Sequence, residues 1–216
     1  MSSRPPFRFP HRLYPIIDTL GDPQRSHVEI ADAMLAAGVP WLQLRIKDGP
    51  TRRFVEVARI IQARARAAGA QLIINDRADI ALLVEAAGVH LGQTDLPAAD
   101  ARRILGPDAI IGVSTHSVEQ VRQATRTGAA DYLGFGPVFP TSSKRNPDPV
   151  QGLDGVRRAR AATGLPLVAI GGITRATMSA VLAAGADAVA MIRDLVATPD
   201  IRARVAECLE FVKSGA

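Results

Sequence analysis

Gln43, Arg45 and Lys47 follow one another at a spacing of two in the stretch WLQLRIKD. On an extended chain that spacing turns all three to one face. An arginine on an otherwise apolar face needs an anion, because an unpaired charge away from water is costly. A phosphate suits it, since the guanidinium fork binds two oxygens at once. Further on, Asn75–Asp76 and Gly92–Gln93–Thr94–Asp95 each close a short apolar run. Two carboxylates beside a polyphosphate describe a Mg2+ site, as this ion keeps several waters and takes one or two carboxylates plus phosphate oxygens. Asp at such a boundary also serves as a helix N-cap, so Asp76, Asp95 and the similarly placed Asp18 carry both readings. Ser114 and His116 in GVSTHS are hydrogen-bonding groups for a substrate, while Ser117 and Gln120 have the spacing of a capping box. Thr141, Ser142, Ser143 and Lys144 bring three hydroxyls and an ammonium into one loop, a composition that suits a phosphate clamp or plain solvent exposure. Gly172 and the pair Ile192–Arg193 end two further apolar runs, where backbone N–H groups beside a glycine can approach a phosphate. No Ser, His and Asp fall in an order that suggests nucleophilic hydrolysis.

These residues need a scaffold that gathers the ends of several short segments. Seven times the chain runs through an Ala/Arg-rich amphipathic stretch, a glycine and a short apolar run, as in VEIADAMLAAG followed by WLQLR. A glycine there suits the left-handed position that closes a helix. The runs are apolar on both faces, as parallel strands covered on both sides must be. LYPIID adds one strand in front, which makes eight strand–helix units spaced about 25 residues apart. Eight such units predict a single (β/α)8 TIM barrel. An open doubly wound sheet is the competing architecture, but YPIIDTLGDP lacks the glycine fingerprint expected after its first strand. Residues 1–12 are expected to form a poorly ordered arm and 13–216 the catalytic barrel. In this fold the reactive end is the carboxyl end of the strands, where all the candidates above fall. They divide into a diphosphate–metal group (Arg45, Lys47, Lys144, Asp76 and Asp95) and a monophosphate group around Gly172 and residues 192–193.

The 216 residues carry 26 basic and 21 acidic side chains, a net charge of +5, and 47 % are hydrophobic. That balance excludes a disordered, collagenous or coiled-coil chain. A basic protein raises nucleic acid as a partner. The chain has no basic run or aromatic platform, however, and the helix arginines, such as Arg52, Arg59, Arg64, Arg66, Arg157 and Arg158, are expected on solvated faces. No run of 18 apolar residues exists, so no membrane span is expected. The N-terminus lacks a signal-peptide core and Cys208 is the single cysteine, which together predict a cytoplasmic location. Oligomeric state stays open, a homo-oligomer being compatible with the sequence.

The motifs QLRIKD (43–48), IND (74–76), GVHLGQTDLP (88–97), GVSTHS (112–117), GPVFPTSSK (136–144), AIGGI (169–173) and GADAVAMI (185–192) together resemble the thiamine-phosphate synthase family. The resemblance spans residues 13–192. It implies a barrel that joins a hydroxymethylpyrimidine diphosphate to a thiazole phosphate, giving thiamine phosphate and pyrophosphate. It further implies that Gln43, Arg45, Lys47, Asn75, Ser114 and Lys144 hold the pyrimidine diphosphate. By the same resemblance Asp76 and Asp95 bind Mg2+, and Thr141, Ser143, Gly172, Ile192 and Arg193 lie at the thiazole phosphate. Arg45, Lys47, Ser114 and Lys144 would carry the catalysis, in which diphosphate leaves before the thiazole nitrogen captures a pyrimidine-methyl cation. Ser143 stands where the family commonly has Thr, and Arg193 where a small hydroxyl residue is usual. The related thiazole tautomerase is the alternative, with His116 moving protons. A non-catalytic barrel that binds thiamine precursors is a second.

Overall fold

A computed structural model describes residues 5–141 and 148–213. The elements alternate without interruption: β1 (Leu13–Ile17), α1 (His27–Ala36), β2 (Trp41–Leu44), α2 (Thr51–Ala67), β3 (Gln71–Asn75), α3 (Ala78–Leu83), β4 (Gly88–Leu91), α4 (Ala98–Leu105) and β5 (Ile110–Thr115). They continue with α5 (Val118–Thr127), β6 (Tyr132–Phe135), α6 (Gly152–Ala161), β7 (Leu167–Ile170), α7 (Met178–Ala183), β8 (Ala188–Met191), α8 (Arg193–Val196) and α9 (Ile201–Lys213). All eight strands are parallel, and β8 returns to β1 to close the barrel.

Local chemistry starts and stops the helices. Ser26 and Glu29 form a reciprocal capping box on α1: Ser26 Oγ accepts from the Glu29 N–H at 3.2 Å, and the Ser26 N–H donates to the Glu29 carboxylate at 2.7 Å. Ser117 caps α5 through the Gln120 N–H, but the Gln120 side chain accepts from the N–H of His116 rather than closing the box on Ser117. Gly38, Gly69, Gly106, Gly128 and Gly185 have positive φ just past a helix, as expected. Gly88 does not belong with them, since it is the first residue of β4, where a Cβ would run into the Ile110 carbonyl.

Strand alternation sorts the core into two parts. Tyr14, Ile16, Trp41, Ile73, Ile110, Tyr132, Val168, Ala188 and Ala190 fill the barrel interior, and the opposite faces pack against the helices in a larger cluster. Aromatic rings fill the amino end of the interior: Tyr14 stacks on Trp41 with centroids 3.5 Å apart, and Trp41 Nε1 donates to the Leu13 carbonyl. In the described part of the leading segment, Phe7 packs on Tyr132 and Phe9 on Trp41, at 5.5 and 5.1 Å. Two apolar rings beside an open barrel end bury area that an arm would leave in water.

The helix arginines Arg64, Arg66 and Arg157 lie on exposed faces, as expected, and meet acidic partners there. Arg64 on α2 meets Asp32 on α1, Arg66 on α2 meets Glu85 just past α3, and Arg157 meets Asp154 within α6. Such exposed pairs contribute about 0–1 kcal/mol each. Among the described residues no helix is long and apolar enough to cross a membrane.

Candidate active site

The inward-facing residues change character toward the carboxyl end of the strands. Ile16 is followed by Asp18, Trp41 by Gln43 and Arg45, Ile73 by Asn75, and Ile110 by Ser114. The register sets Asn75 level with His90, and Ser114 level with Gly134. The polar residues thus form a layer above the apolar one.

Arg45 does find an anion, and it lies within the chain. Its guanidinium pairs with Asp18, which is 4 % exposed and also accepts from the Leu20 N–H at 2.9 Å. Asp18 is therefore neither a helix cap nor grouped with Asp76. Lys47, half exposed, pairs with Asp76. Asp76 adopts φ 65°, a left-handed conformation uncommon for any residue but glycine, and its N–H is held by the His90 carbonyl at 2.7 Å. Backbone held in this way is a feature of functional sites. Asp95 accepts from the N–H of Gly92 at 2.7 Å in its own turn. Helices α3 and α4 have Arg77 and Pro97 at their N-caps with no side-chain cap, so neither Asp76 nor Asp95 is a helix cap. Burial raises the Asp95 carboxyl above its ordinary range, and the neighbouring Asp76 carboxyl adds to the rise, against the Gly92 N–H and Lys47. The two aspartates and Lys47 thus share one electrostatic environment.

Gln43 and Asn75 are buried. Gln43 Nε2 donates to the Tyr14 hydroxyl at 3.0 Å, whereas Asn75 Nδ2 has no partner among the described residues. A buried amide donor without an acceptor is rare and calls for a ligand atom or water. His90, within β4, is bonded at both ring nitrogens: Nδ1 lies 2.9 Å from the Tyr132 hydroxyl and Nε2 lies 2.9 Å from Ser114 Oγ. Burial lowers its pKa to about 4, against the attraction of Asp95, so the ring is neutral near pH 7. Gly112 makes room for this arrangement, since a Cβ there would run into both the Tyr132 ring and His90 Nδ1. Gly112→Ala is therefore expected to cost about 1–3 kcal/mol, the usual range for overpacking. Urea unfolding measures it, and an unchanged midpoint would show that the two rings are free to move aside. His116 donates from Nδ1 to the Gly136 carbonyl at 2.8 Å and holds Nε2 3.6 Å from Asp148.

On the opposite side of the mouth, the segment after β6 lies on the end of β7. Val138 and Phe139 donate to the carbonyls of Ile170 and Gly171 at 2.9 and 3.0 Å. Gly172 has φ +62°, and a Cβ on it would meet the Pro140 carbonyl at 2.5 Å, so only glycine fits beside the stretch leading into Thr141. Ile192 precedes the short helix α8, and Arg193, its first residue, is exposed. Thr174 does not cap α7; its N–H bonds Thr177 Oγ1 in a turn before that helix. Ser143 and Lys144 lie outside the described residues. A cavity of about 350 Å3 opens beside the mouth, lined by Thr19, His27, Asp48, Arg53 and Phe54 among others, and includes none of the strand-end candidates.

A closed parallel barrel with paired cations, carboxylates and an unfilled donor at its strand ends has the architecture of a (β/α)8 enzyme. The family profile for thiamine monophosphate synthase matches residues 13–195. A thiamine-phosphate synthase of Moorella thermoacetica is 45 % identical over 200 residues, covering 93 % of this chain and 95 % of that protein. One from Chloroflexus aurantiacus is 43 % identical, covering 89 % and 88 %. The solved thiamine phosphate pyrophosphorylase of Pyrococcus furiosus superposes with a TM-score of 0.84 at 37 % identity, over 94 % of this chain and 96 % of that one. The chain belongs to the thiamine monophosphate synthase family, a family of transferases.

Proposed function

We propose that this chain condenses 4-amino-2-methyl-5-(diphosphooxymethyl)pyrimidine with a thiazole phosphate, releasing pyrophosphate and thiamine phosphate. The observation that carries the reading is the Arg45–Asp18 and Lys47–Asp76 pairing, with Asp95 alongside, at one edge of the barrel mouth. Cations held by nearby carboxylates are oriented before a substrate arrives, which electrostatic catalysis requires.

Gln43, Asn75 and Ser114 bind the pyrimidine diphosphate, Asn75 through its unfilled amide donor. Arg45, Lys47 and Lys144 meet the diphosphate, and Thr141, Ser143, Gly172, Ile192 and Arg193 receive the thiazole phosphate. The methylene C–O bond breaks with its electron pair leaving on the diphosphate. The resulting pyrimidine-methyl cation then takes the lone pair of the thiazole nitrogen. The chain needs no covalent nucleophile for this; its cations bind the growing negative charge, and its buried amides hold the cation's ring in line. Among the described residues no three His, Cys, Asp or Glu side chains gather as a metal site. Two hard carboxylates beside a diphosphate still fit Mg2+, whose remaining ligands are phosphate oxygens and water. Asp76 and Asp95 would hold it, and when bound it would neutralise charge on the leaving group.

Purified protein with Mg2+ and both substrates is expected to release pyrophosphate, and EDTA to stop the release. If no pyrophosphate forms while the thiazole phosphate tautomerises, the tautomerase reading replaces this one.

A further inference from the structure

A line of hydrogen bonds runs through the barrel interior between Gln43 and Ser114, and no covalent step of the condensation passes through it. Gln43 Nε2 lies 3.0 Å from Tyr14 Oη, Tyr14 Oη lies 3.0 Å from Tyr132 Oη, and His90 joins Tyr132 to Ser114 at 2.9 Å on each side. These five residues sit on β2, β1, β6, β4 and β5, and all but Ser114 are buried.

Counting hydrogens gives the line a direction. An amide NH2 can only donate, so Tyr14 Oη accepts from Gln43. The hydrogen of Tyr14 then has Tyr132 Oη as its acceptor. The hydrogen of Tyr132 goes to His90 Nδ1, which must carry a lone pair. A neutral imidazole with its lone pair on Nδ1 has its hydrogen on Nε2, and that hydrogen goes to Ser114 Oγ. The Ser114 hydrogen remains, and no atom in the line needs it. Burial holds both phenols well above their ordinary range, so neither loses its proton.

We propose that Tyr14, Tyr132 and His90 are positioning residues, a one-way relay that makes Ser114 a hydroxyl donor toward an acceptor atom of the pyrimidine diphosphate and ties its orientation to that of Gln43. The proposal rests on the reading that Ser114 touches that substrate. With the Gln43 amide turned over, every bond would reverse, His90 would carry its hydrogen on Nδ1, and Ser114 would face the substrate as an acceptor.

Long-range 1H–15N correlation spectra of the ligand-free, 15N-histidine-labelled full chain decide the direction. The expected result is His90 protonated at Nε2 with a bare Nδ1; a hydrogen on Nδ1 overturns the relay. This readout needs no variant and does not depend on turnover. Tyr132→Phe removes the hydrogen that Nδ1 accepts. It is expected to shift His90 toward the Nδ1–H form and to lower kcat/KM for the pyrimidine diphosphate about tenfold, the size of one lost hydrogen bond. In a Ser114→Ala background the same change should have little further effect, because Tyr132 acts through Ser114. Fully additive losses would overturn that route. Normal turnover by Ser114→Ala, with His90 still protonated at Nε2, would remove the substrate role of Ser114 and leave the relay's direction standing.

Discussion

Asp95→Asn is expected to cut pyrophosphate release by about 100-fold or more, the scale of losing one charged group that stabilises a transition state, without lowering the melting temperature at pH 7. The second half follows from the sign of the shift. Burial, with Asp76 adding to it, raises the Asp95 carboxyl in the folded chain. A carboxyl raised on folding binds its proton more tightly in the folded state. It therefore favours folding only as pH falls toward the unfolded value, and opposes folding once ionised at neutral pH. Asparagine removes that charge and keeps an oxygen to accept the Gly92 N–H, now at 2.7 Å. Equal or higher stability with lost turnover is the expected pair of results from thermal unfolding and a pyrophosphate assay. A lower melting temperature with normal turnover would make Asp95 a loop-holding residue only.

Arg45→Met is expected to abolish turnover and also to cost about 3 kcal/mol of stability, because it leaves Asp18 charged and unpaired inside the barrel mouth. At about 2–4 °C per kcal/mol for a chain of this size, the melting temperature drops by roughly 10 °C. Asp18→Asn in the same chain removes the stranded charge and keeps an acceptor for the Leu20 N–H. Most of the stability should return while turnover stays lost. A double variant no more stable than Arg45→Met would mean that the arginine's packing, and not its charge, holds this corner.

The two variants divide the mouth into parts with different costs. Asp18, buried, and Arg45, half-buried, form a pair that stabilises the layer on which the site is built. Asp76, Asp95 and Lys47 are more open, and Asp76 is held in a left-handed conformation by the His90 carbonyl. The first group is expected to show in both unfolding and kinetics, the second in kinetics alone.

Much of this was legible in the chain itself. The repeat of amphipathic stretch, glycine and apolar run encodes eight local units, and each unit's pattern depends only on residues near it in sequence. The spacing of Gln43, Arg45 and Lys47 along one extended segment is likewise local, so their common face could be read directly. Cap positions were less legible, because Asp76 and Asp95 precede helices at distances that suit a cap or a ligand equally. Only the observed N-caps of α3 and α4, Arg77 and Pro97, separate the two.

What the sequence determined by itself was the barrel, the end at which its polar residues gather and the phosphate chemistry those residues suit. The tertiary structure decided the pairings: Asp18 with Arg45, Lys47 with Asp76, Phe7 and Phe9 on the ring layer, and Gln43 joined to Ser114 through two tyrosines and a histidine. Periodicity says which way a side chain points from its own strand. Which side chain it meets across a closed barrel depends on the register and tilt of strands up to 118 residues apart, as between Tyr14 and Tyr132, and no local pattern carries that information.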